Sequence, residues 1–241
     1  MSEIVIFGGT TEGRLTAEQL LADGCDVTVA VTSEYARSLL PPRIKCRVGI
    51  LNREEMRSWL RSVRPCRVID ATHPYAVNAT RNIRETCQAL AIPYSRVERP
   101  LEAAPWQQDV QHVPDTKAAV CAVKTTNGPV LLTTGSHTLS CYARDIDPAR
   151  LWVRVLPTRE ALDLCMEAGI PASHIIAMQG PFTKAFNAAL YDQLNIRVVV
   201  TKDSGKAGGV EEKVIPALER EIHVIMIDRP KEEESACAGN A

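Results

Sequence analysis

Short apolar runs rich in β-branched residues alternate along this chain with segments that carry a helical pattern. Clear examples are Ile4 to Phe7, Asp26 to Thr32 and Arg67 to Asp70, each of which precedes a helical segment. Consecutive parallel strands need a long crossover connection, so this alternation favours parallel sheets that are covered by helices. We predict an α/β fold of two Rossmann-like or flavodoxin-like domains, each a parallel sheet flanked by helices, with a cleft between the domains.

Three prolines interrupt the alternation near the middle of the chain, at positions 100, 105 and 114. Proline removes a backbone donor and breaks both helices and central strands, so this region is predicted to connect two domains. The predicted parts are a dinucleotide-binding α/β domain over residues 1–99, a second α/β domain over residues 100–230 that contributes to the substrate cleft, and a flexible tail over residues 231–241.

Charge and cysteine spacing argue against several functional classes. The formal net charge is −1 at pH 7, so neither a nucleic-acid nor a membrane partner is expected. No apolar stretch approaches the roughly 20 residues that span a bilayer, and the first residues lack a signal-peptide pattern, so we expect a cytoplasmic protein. None of the eight cysteines forms a C-x-x-C pair, and no metal site is expected.

The stretch from Ile4 to residue 14 has the pattern of a strand, a glycine-containing turn and a helix. The N-terminus of such a helix presents unpaired N–H groups and a partial positive charge, which favour a phosphate. Gly8 and Gly13 match two of the three glycines in G-x-G-x-x-G, and Thr10 replaces the middle one. The next position is arginine, where an ATP-type loop requires lysine. We predict a Rossmann-like nucleotide turn with Thr10 and Thr11 as hydroxyl donors, the alternative being an ordinary turn of small residues.

The end of the second predicted strand indicates which nucleotide the turn would hold. Sites for NAD usually place a carboxylate there to bind the ribose 2′-hydroxyl. Here the strand ends at Thr32 and Ser33, and Arg37 follows, a combination that suits a 2′-phosphate. NADPH is therefore favoured, with NADH possible because Glu34 lies close by. The alternative role for Arg37 is that of a solvated helix residue.

The loop that begins at Asp70 is the second candidate site. Asp70 ends an apolar strand, where a carboxylate is costly unless it is hydrogen-bonded. It would either cap the turn before the next helix or hold a ligand or the neighbouring His73. His73 is a candidate general acid because its ordinary pKa lies in the useful range, and the alternative is a loop residue that only makes hydrogen bonds.

A third candidate is the glycine-rich loop from Lys202 to Gly209. It combines cations, a hydroxyl and a flexible backbone, and a helix follows it. Such a loop can bind an anionic group at the helix N-terminus, and it can equally be a mobile connection at the surface.

Five motifs in a fixed order resemble the precorrin-6A reductase family of cobalamin biosynthesis, which includes cobalt-precorrin-6A reductases. They are G-G-T-T-E-G-R, D-A-T-H-P-Y-A, T-T-G-S, Q-G-P-F, and K-D-S-G followed by G-G-V-E-E-K, and the likeness covers nearly the whole chain. The resemblance implies that hydride from NADPH, or alternatively NADH, reduces one double bond of a tetrapyrrole while the neighbouring carbon gains a proton. Precorrin-6A or cobalt-precorrin-6A would become the corresponding precorrin-6B.

The resemblance also implies roles for individual residues. The predicted cofactor contacts are Gly8, Gly9, Thr10, Thr11, Glu12, Thr32, Ser33, Arg37, Asp70, Ala71, Thr72 and Tyr75. The predicted substrate contacts are Ser136, Lys202, Asp203, Ser204, Gly205, Gly208 and Gly209. For the proton donor, His73, Asp145 and water are alternatives that the sequence does not separate.

Two other functions compete with this interpretation. Another NAD(P)-dependent reductase, of the short-chain type, would need a Tyr-x-x-x-Lys pair on a helix, and this spacing does not occur. A non-catalytic dinucleotide-binding sensor would bind the cofactor without turnover.

Overall fold

A computed structural model of the chain describes residues 3–97, 104–205 and 208–230. The chain divides into two compact units, residues 1–101 and 102–241, which are treated separately below. The predicted tail over residues 231–241 lies outside the described residues, as does part of the predicted connection, residues 98–103.

The first unit is built on a parallel sheet with the strand order β3-β2-β1-β4-β5. Its strands are β1 (Glu3–Phe7), β2 (Asp26–Val31), β3 (Lys45–Val48), β4 (Arg67–Asp70) and β5 (Tyr94–Arg96). Phe7 at the end of β1 is level with Ala30 on one side and Asp70 on the other. The chain order reverses between β1 and β4, and ligands of open parallel sheets bind at such a switch point, beyond the carboxyl ends of the strands.

Helices cover both faces of this sheet. They are α1 (Thr11–Ala22), α2 (Glu34–Ser38), α3 (Arg53–Val63) and α4 (Val77–Ala89). Strand alternation sends Ile6 into the core beneath α1, whereas Val5 and Phe7 pack against α3 and α4. At the start of α3, Asn52 and Glu55 form the reciprocal bonds of a capping box.

The second unit repeats this architecture with the strand order β6-β11-β10-β7-β8-β9, again parallel throughout. Its strands are β6 (Gln111–Val113), β7 (Val130–Leu132), β8 (Leu151–Val155), β9 (Ile175–Ala177), β10 (Val198–Lys202) and β11 (His223–Ile227). Its helices are α5 (Thr116–Lys124), α6 (Leu139–Ala143), α7 (Arg159–Glu167), α8 (Lys184–Gln193) and α9 (Val210–Leu218). The switch point lies between β7 and β10. The predicted α/β class, with parallel sheets flanked by helices, is therefore confirmed.

Six of the nine described helices, α1, α3, α4, α7, α8 and α9, return to the amino-terminal edge of their sheet through a residue in the left-handed conformation. Glycine serves at two of these ends, with φ of 81° at Gly24 and 71° at Gly169. Four other ends use residues with a side chain, which are Arg64, Ala91, Asn195 and Glu221, at φ between 50° and 55°. This edge is opposite to the one that carries the candidate site.

Across the described ranges, no helix has the length and apolar character that crossing a bilayer requires. Within the same part of the chain, no group of three or more His, Cys, Asp or Glu side chains is placed to hold a metal ion.

Candidate functional site

The turn between β1 and α1 is closely packed on the side that faces the protein and open on its outer side. A Cβ on Gly8 would lie 3.0 Å from Val29 Cγ1, and one on Gly13 would lie 3.2 Å from both Ala71 Cβ and Gly8 Cα. Gly9 has φ +108°, and a Cβ built there would meet nothing within 4 Å. The glycines thus let helix and strand approach each other while the outer surface of the turn stays clear. A dinucleotide pyrophosphate fits such a cradle at a helix N-terminus.

Thr10 ties this turn to the neighbouring loop. Its hydroxyl donates to the Ala71 carbonyl oxygen at 2.8 Å and accepts from the Gly13 N–H at 3.1 Å, as the N-cap of α1. Thr10 was predicted as a hydroxyl donor to the cofactor, but its proton is already given to Ala71 in this geometry. Thr11 is exposed at the start of α1 and remains the hydroxyl donor candidate in the turn.

Asp70 is fully buried at the end of β4 and organises a polar network. Its Oδ1 accepts from the N–H and hydroxyl of Thr72, at 2.9 and 2.7 Å. Its Oδ2 accepts from the Tyr94 hydroxyl at 3.0 Å and from Arg96 Nη1 at 2.7 Å. Arg96 also bonds to Thr80 on α4. Each carboxylate oxygen therefore has two donors, which favours the capping role of Asp70 over direct contact with a ligand.

The environment of this network changes the acidity of its neighbours. Burial raises the pKa of Tyr94 to about 12, and the adjacent Asp70 carboxylate adds to the increase. Burial likewise raises the pKa of the Cys87 thiol to about 11, with a smaller contribution from Asp70. Both groups are neutral at pH 7, so Asp70 and Arg96 are the charged members of this part of the core.

His73 lies exposed beyond the end of β4, in the loop that leads to α4. Its Nδ1 accepts from the Tyr75 N–H at 3.3 Å, and the two rings are 5.6 Å apart between centroids. This bond places the proton of the neutral ring on Nε2. The structure therefore brings His73, Tyr75 and the Gly8 turn to the same edge of the first sheet.

The end of β2 contributes to this edge as well. Thr32 is exposed, and the Ser33 hydroxyl accepts from the Ala36 N–H at 3.2 Å as the N-cap of α2. Arg37 is exposed in the last turn of α2 and lies 3.4 Å from the Glu34 carboxylate, which is also exposed. Such a pair is weak and leaves the guanidinium available for a stronger anion.

In the second unit, two predicted substrate loops meet at the switch point. Ser136 opens a 3₁₀ turn after β7, preceded by Gly135 at φ 87°. The Thr133 N–H and hydroxyl both donate to the Val200 carbonyl oxygen, at 2.9 and 3.0 Å, which fixes this loop against β10. Lys202 ends β10, so its loop begins beside that of Ser136.

Hydrogen bonds within the loop after β10, and one from Arg229, hold this loop in place. Asp203 Oδ1 accepts from the Gly205 N–H at 3.3 Å, and Arg229 Nε donates to the Asp203 carbonyl oxygen at 3.0 Å. Ser204 is buried, and burial lowers the pKa of Lys202. Gly208 donates to the Gly205 carbonyl oxygen at 3.0 Å, and Gly209 precedes α9 at φ 62°. The predicted substrate contacts Asp203 to Gly209 that are described thus form one compact loop.

Asp145 does not share this location. It follows α6 and precedes β8, which puts it at the amino-terminal edge of the second sheet. It is exposed and lies 3.8 Å from Lys124 at the end of α5. Of the two side chains predicted as proton donors, only His73 lies at a carboxyl edge, where ligands of parallel sheets bind.

The second unit contains a buried polar cluster whose residues are not among the site residues predicted from the sequence. Arg154 on β8 donates from Nη1 to Asn187 Oδ1 at 2.7 Å, and its guanidinium carbon lies 4.3 Å from the centre of the Phe182 ring. Asn187 Nδ2 donates to the Glu212 carbonyl oxygen at 2.9 Å, which links α8 to α9. Lys213 on α9 is the next residue and is also buried. The available signal was an arginine inside the strand sequence Leu-Trp-Val-Arg-Val, since strands covered on both faces are otherwise apolar.

The chain is similar to known proteins over nearly its whole length. Residues 3–240 match the family model described as Precorrin-6x reductase CbiJ/CobK. A cobalt-precorrin-6A reductase of Priestia megaterium is 37% identical over 232 residues, covering 95% of this chain and 91% of the relative. One from Salmonella typhimurium is 35% identical, covering 95% and 88%.

A solved structure of CobK precorrin-6A reductase superimposes with a TM-score of 0.79 at 27% identity, covering 96% of this chain and 89% of that one. A reductase of this kind uses a reduced nicotinamide cofactor, for which the Gly8 turn is a suitable cradle. The chain is therefore an oxidoreductase that belongs to the precorrin-6x reductase family.

Proposed function

We propose that this protein uses NADPH to reduce one ring double bond of cobalt-precorrin-6A, giving cobalt-precorrin-6B in cobalamin biosynthesis. The observation that carries the proposal is the similarity to cobalt-precorrin-6A reductases at 35% and 37% identity over 95% of the chain. The solved precorrin-6A reductase is less similar in sequence, at 27% identity, and this difference favours the cobalt-containing substrate over the metal-free one.

The first unit would hold the cofactor, whose contribution is a hydride. The open backbone at Gly9 and the N–H groups at the start of α1 would bind the pyrophosphate. Thr32, Ser33 and Arg37 would bind the ribose 2′-phosphate, because no carboxylate ends β2 and Arg37 has only a weak partner in Glu34. NADPH is therefore our expected cofactor.

Reduction of a carbon–carbon double bond requires a proton at one carbon as well as hydride at the other. His73 is the candidate donor, because its Nε2 carries the proton when Nδ1 accepts from Tyr75. The loops that begin at Ser136 and Lys202 would bind the substrate, and the Asp70 network would keep the His73 loop in position.

The proposal is tested by anaerobic incubation of the protein with cobalt-precorrin-6A or precorrin-6A, each with NADPH and with NADH. We expect loss of the reduced nicotinamide absorbance and a product two hydrogens heavier by mass spectrometry, fastest with cobalt-precorrin-6A and NADPH. Cofactor binding without turnover of either substrate would instead support the sensor, and faster turnover of precorrin-6A would reverse the assignment of the metal.

A further inference from the structure

β9 lies at one edge of the second sheet, and its sequence does not protect that edge. Among the described residues it pairs with β8 alone. Its three residues, Ile175–Ala177, are all apolar and half-buried. An exposed strand edge pairs readily with another strand, so proteins usually place charged residues or proline there. β9 carries neither, which makes its edge a site where a further strand can add.

The other edge strands of the two sheets carry such protection. β3 contains Lys45 and Arg47, and β5 ends at Arg96. β6 contains His112 and is followed directly by Pro114. Within the described residues, β9 is therefore set apart from the other three edges by the lack of a charged group or a proline.

The register of β9 shows which of its backbone groups point outward. The Met178 N–H donates to the Val155 carbonyl oxygen at 3.1 Å, so Met178 directs its backbone groups towards β8. Alternate residues of a parallel strand bond to opposite sides, so Ile175 and Ala177 direct theirs outward. The Ile175 N–H donates to the Ala172 carbonyl oxygen in the preceding turn. The Ile175 C=O and the Ala177 N–H and C=O are left for a partner strand.

α7 covers the face of the sheet opposite to α8 and α9. The chain moves outward from β8 to β9 and back from β9 to β10, so right-handed crossovers place α7 and α8 on opposite faces. Trp152 and Ile176 pack against the core cluster to which α8 and α9 contribute. Strand alternation therefore turns Ile175 and Ala177 to the α7 face.

Two exposed apolar side chains of α7 extend the apolar surface of β9. Leu162 is 36% exposed and Met166 is 62% exposed, and they lie one turn apart. Glu160 lies 4.0 Å from His137, which follows β7, so that side of the helix is turned away from β9. At about 100° per residue, Leu162 and Met166 lie about 160° and 120° around the helix from Glu160. They are thus on the side of α7 nearest the open edge.

We propose that a second copy of this chain binds here, through antiparallel pairing of the two β9 strands about a two-fold axis at Ile176. This axis places Ile175 of each strand opposite Ala177 of the other, as in a hydrogen-bonded pair of an antiparallel ladder. Each Ala177 N–H would donate to the Ile175 carbonyl oxygen of the other strand. The second-unit sheets of the two copies would then form one continuous sheet.

The helices beside the edge suit a second copy of the same chain. The two α7 helices would run antiparallel on one face, about 14 Å apart, because three strand spacings of about 4.8 Å separate the two copies of β8. A helix with its side chains is about 10–12 Å across, so Leu162 and Met166 of the two helices would shield one another from water. Arg159 in the first turn of one helix would lie near Glu167 in the last turn of the other, and both are exposed. The charges at the two ends of the helix pair are therefore complementary.

Sedimentation equilibrium of the full chain measures this association. We expect the wild type to reach twice the mass of one chain as its concentration rises. Ala177→Pro removes an outward N–H at an edge position, where proline is tolerated. It should raise the dimer dissociation constant about 100-fold, through two lost hydrogen bonds per dimer and the carbonyl groups left unpaired.

A second variant tests the helix side of the interface. Met166→Lys should raise the dimer dissociation constant about tenfold or more, because the new ammonium group would lose water in the interface. The matched control is Leu39→Lys, at another exposed apolar residue that ends a helix, in the first unit. It should associate as the wild type does. Far-ultraviolet circular dichroism shows that each variant is folded, and Met166→Lys still tests the proposal if Ala177→Pro does not fold.

Cross-linking tests the position of the two-fold axis. Opposite residues that exchange no hydrogen bonds in an antiparallel ladder have Cα atoms about 4.5 Å apart, within the range of a disulfide. Ile176→Cys should therefore give a cross-linked dimer on mild oxidation, with the two chains joined at position 176 by mass spectrometry. Ser173→Cys is the control, because position 173 precedes β9 and its two copies would lie at opposite ends of the pair. The wild type gives the background from the natural cysteines.

Two results would overturn the proposal. A wild type that stays monomeric at every concentration would leave this edge to a strand of another protein. A dimer that persists in Ala177→Pro and Met166→Lys, with no cross-link at position 176, would have its interface elsewhere. None of these measurements involves substrate or cofactor, so their outcome is independent of the proposed function.

Discussion

Arg96 Nη1 lies 2.7 Å from Asp70 Oδ2, and this ion pair joins the ends of β4 and β5 inside the first unit. The carboxylate is fully buried and the guanidinium nearly so. Loss of one partner in such a pair leaves a charge without its main compensation, which is far more costly than loss of a pair at the surface.

Asp70→Asn should therefore lower the free energy of unfolding by about 3–5 kcal/mol. The matched control is Asp26→Asn, which removes the exposed pair with Lys45 and should cost less than about 1 kcal/mol. Urea denaturation of both variants checks the prediction. Equal effects of the two substitutions would show that the Asp70 network does not stabilise the fold as described.

Gly13→Ala should weaken cofactor binding more than it lowers stability. The added methyl group would lie 3.2 Å from the Gly8 backbone and must displace the turn, which we expect to raise the NADPH dissociation constant about tenfold. Alanine favours the helix over glycine by about 1 kcal/mol, which offsets part of the loss in unfolding free energy that the strain causes. Fluorescence titration measures the first effect. Gln19→Ala on the exposed side of α1 is the control. Equal NADPH affinity in the two variants would contradict the proposal that the Gly8 turn binds the cofactor pyrophosphate.

Arg37→Ala should raise KM for NADPH about tenfold and leave KM for NADH nearly unchanged. The reason is that only NADPH carries the 2′-phosphate that this guanidinium would bind. Arg43→Ala, before β3 at the other edge of the sheet, serves as the control. A parallel loss with both cofactors would show that Arg37 acts through the structure of α2.

Lys213 should make stability depend on pH. Its pKa is about 7 in the folded protein and 10.5 ordinarily, so between these values the unfolded chain binds more protons. The unfolding free energy should consequently increase with pH across this window, by up to about 1.4 kcal/mol per unit. Below pH 7 both states are protonated, so the slope is zero and the destabilisation by the buried charge is greatest. Urea denaturation at several pH values should show this slope in the wild type but not in Lys213→Met. Identical slopes would mean that the amine is hydrated in the folded protein.

Asp145→Ala should leave kcat and KM within about twofold of the wild-type values. The residue lies at the edge away from the strand ends, and its partner Lys124 is 3.8 Å away at the surface, where such pairs contribute little. Steady-state kinetics check this expectation, with His73→Gln assayed beside it. A large loss of kcat in Asp145→Ala alone would make Asp145, and not His73, the better proton donor.

Much of the fold could be predicted because its signals are local. The strand Arg67–Asp70 has the bounds of its apolar run, and β1 and β2 each differ by one residue from the runs Ile4 to Phe7 and Asp26 to Thr32. By contrast, β6 and α6 were missed, since β6 has three residues that pair only with β11, and α6 is a five-residue helix after a 3₁₀ turn. Segments this short depend on tertiary contacts more than on their own pattern.

The candidate site was less predictable because its side chains come from distant parts of the chain. The need of Asp70 for partners could be inferred, but not that β5 would supply Tyr94 and Arg96. Likewise, the bond between Arg154 and Asn187 joins residues 33 positions apart, on a strand and a helix. A motif describes one loop, whereas hydrogen bonds between loops follow only from the order of strands in the sheet.

At four helix ends, a residue other than glycine holds the left-handed backbone conformation, and this lowers the stability of the folded protein. Arg64, Ala91, Asn195 and Glu221 hold a backbone geometry that costs a residue with a Cβ about 1 kcal/mol, whereas glycine adopts it without that cost. All four positions lie where helices return to the start of a strand, remote from the ligand-binding side. Substitution of these residues by glycine, through selection or engineering, can therefore stabilise this enzyme with no change to the residues that bind its substrate.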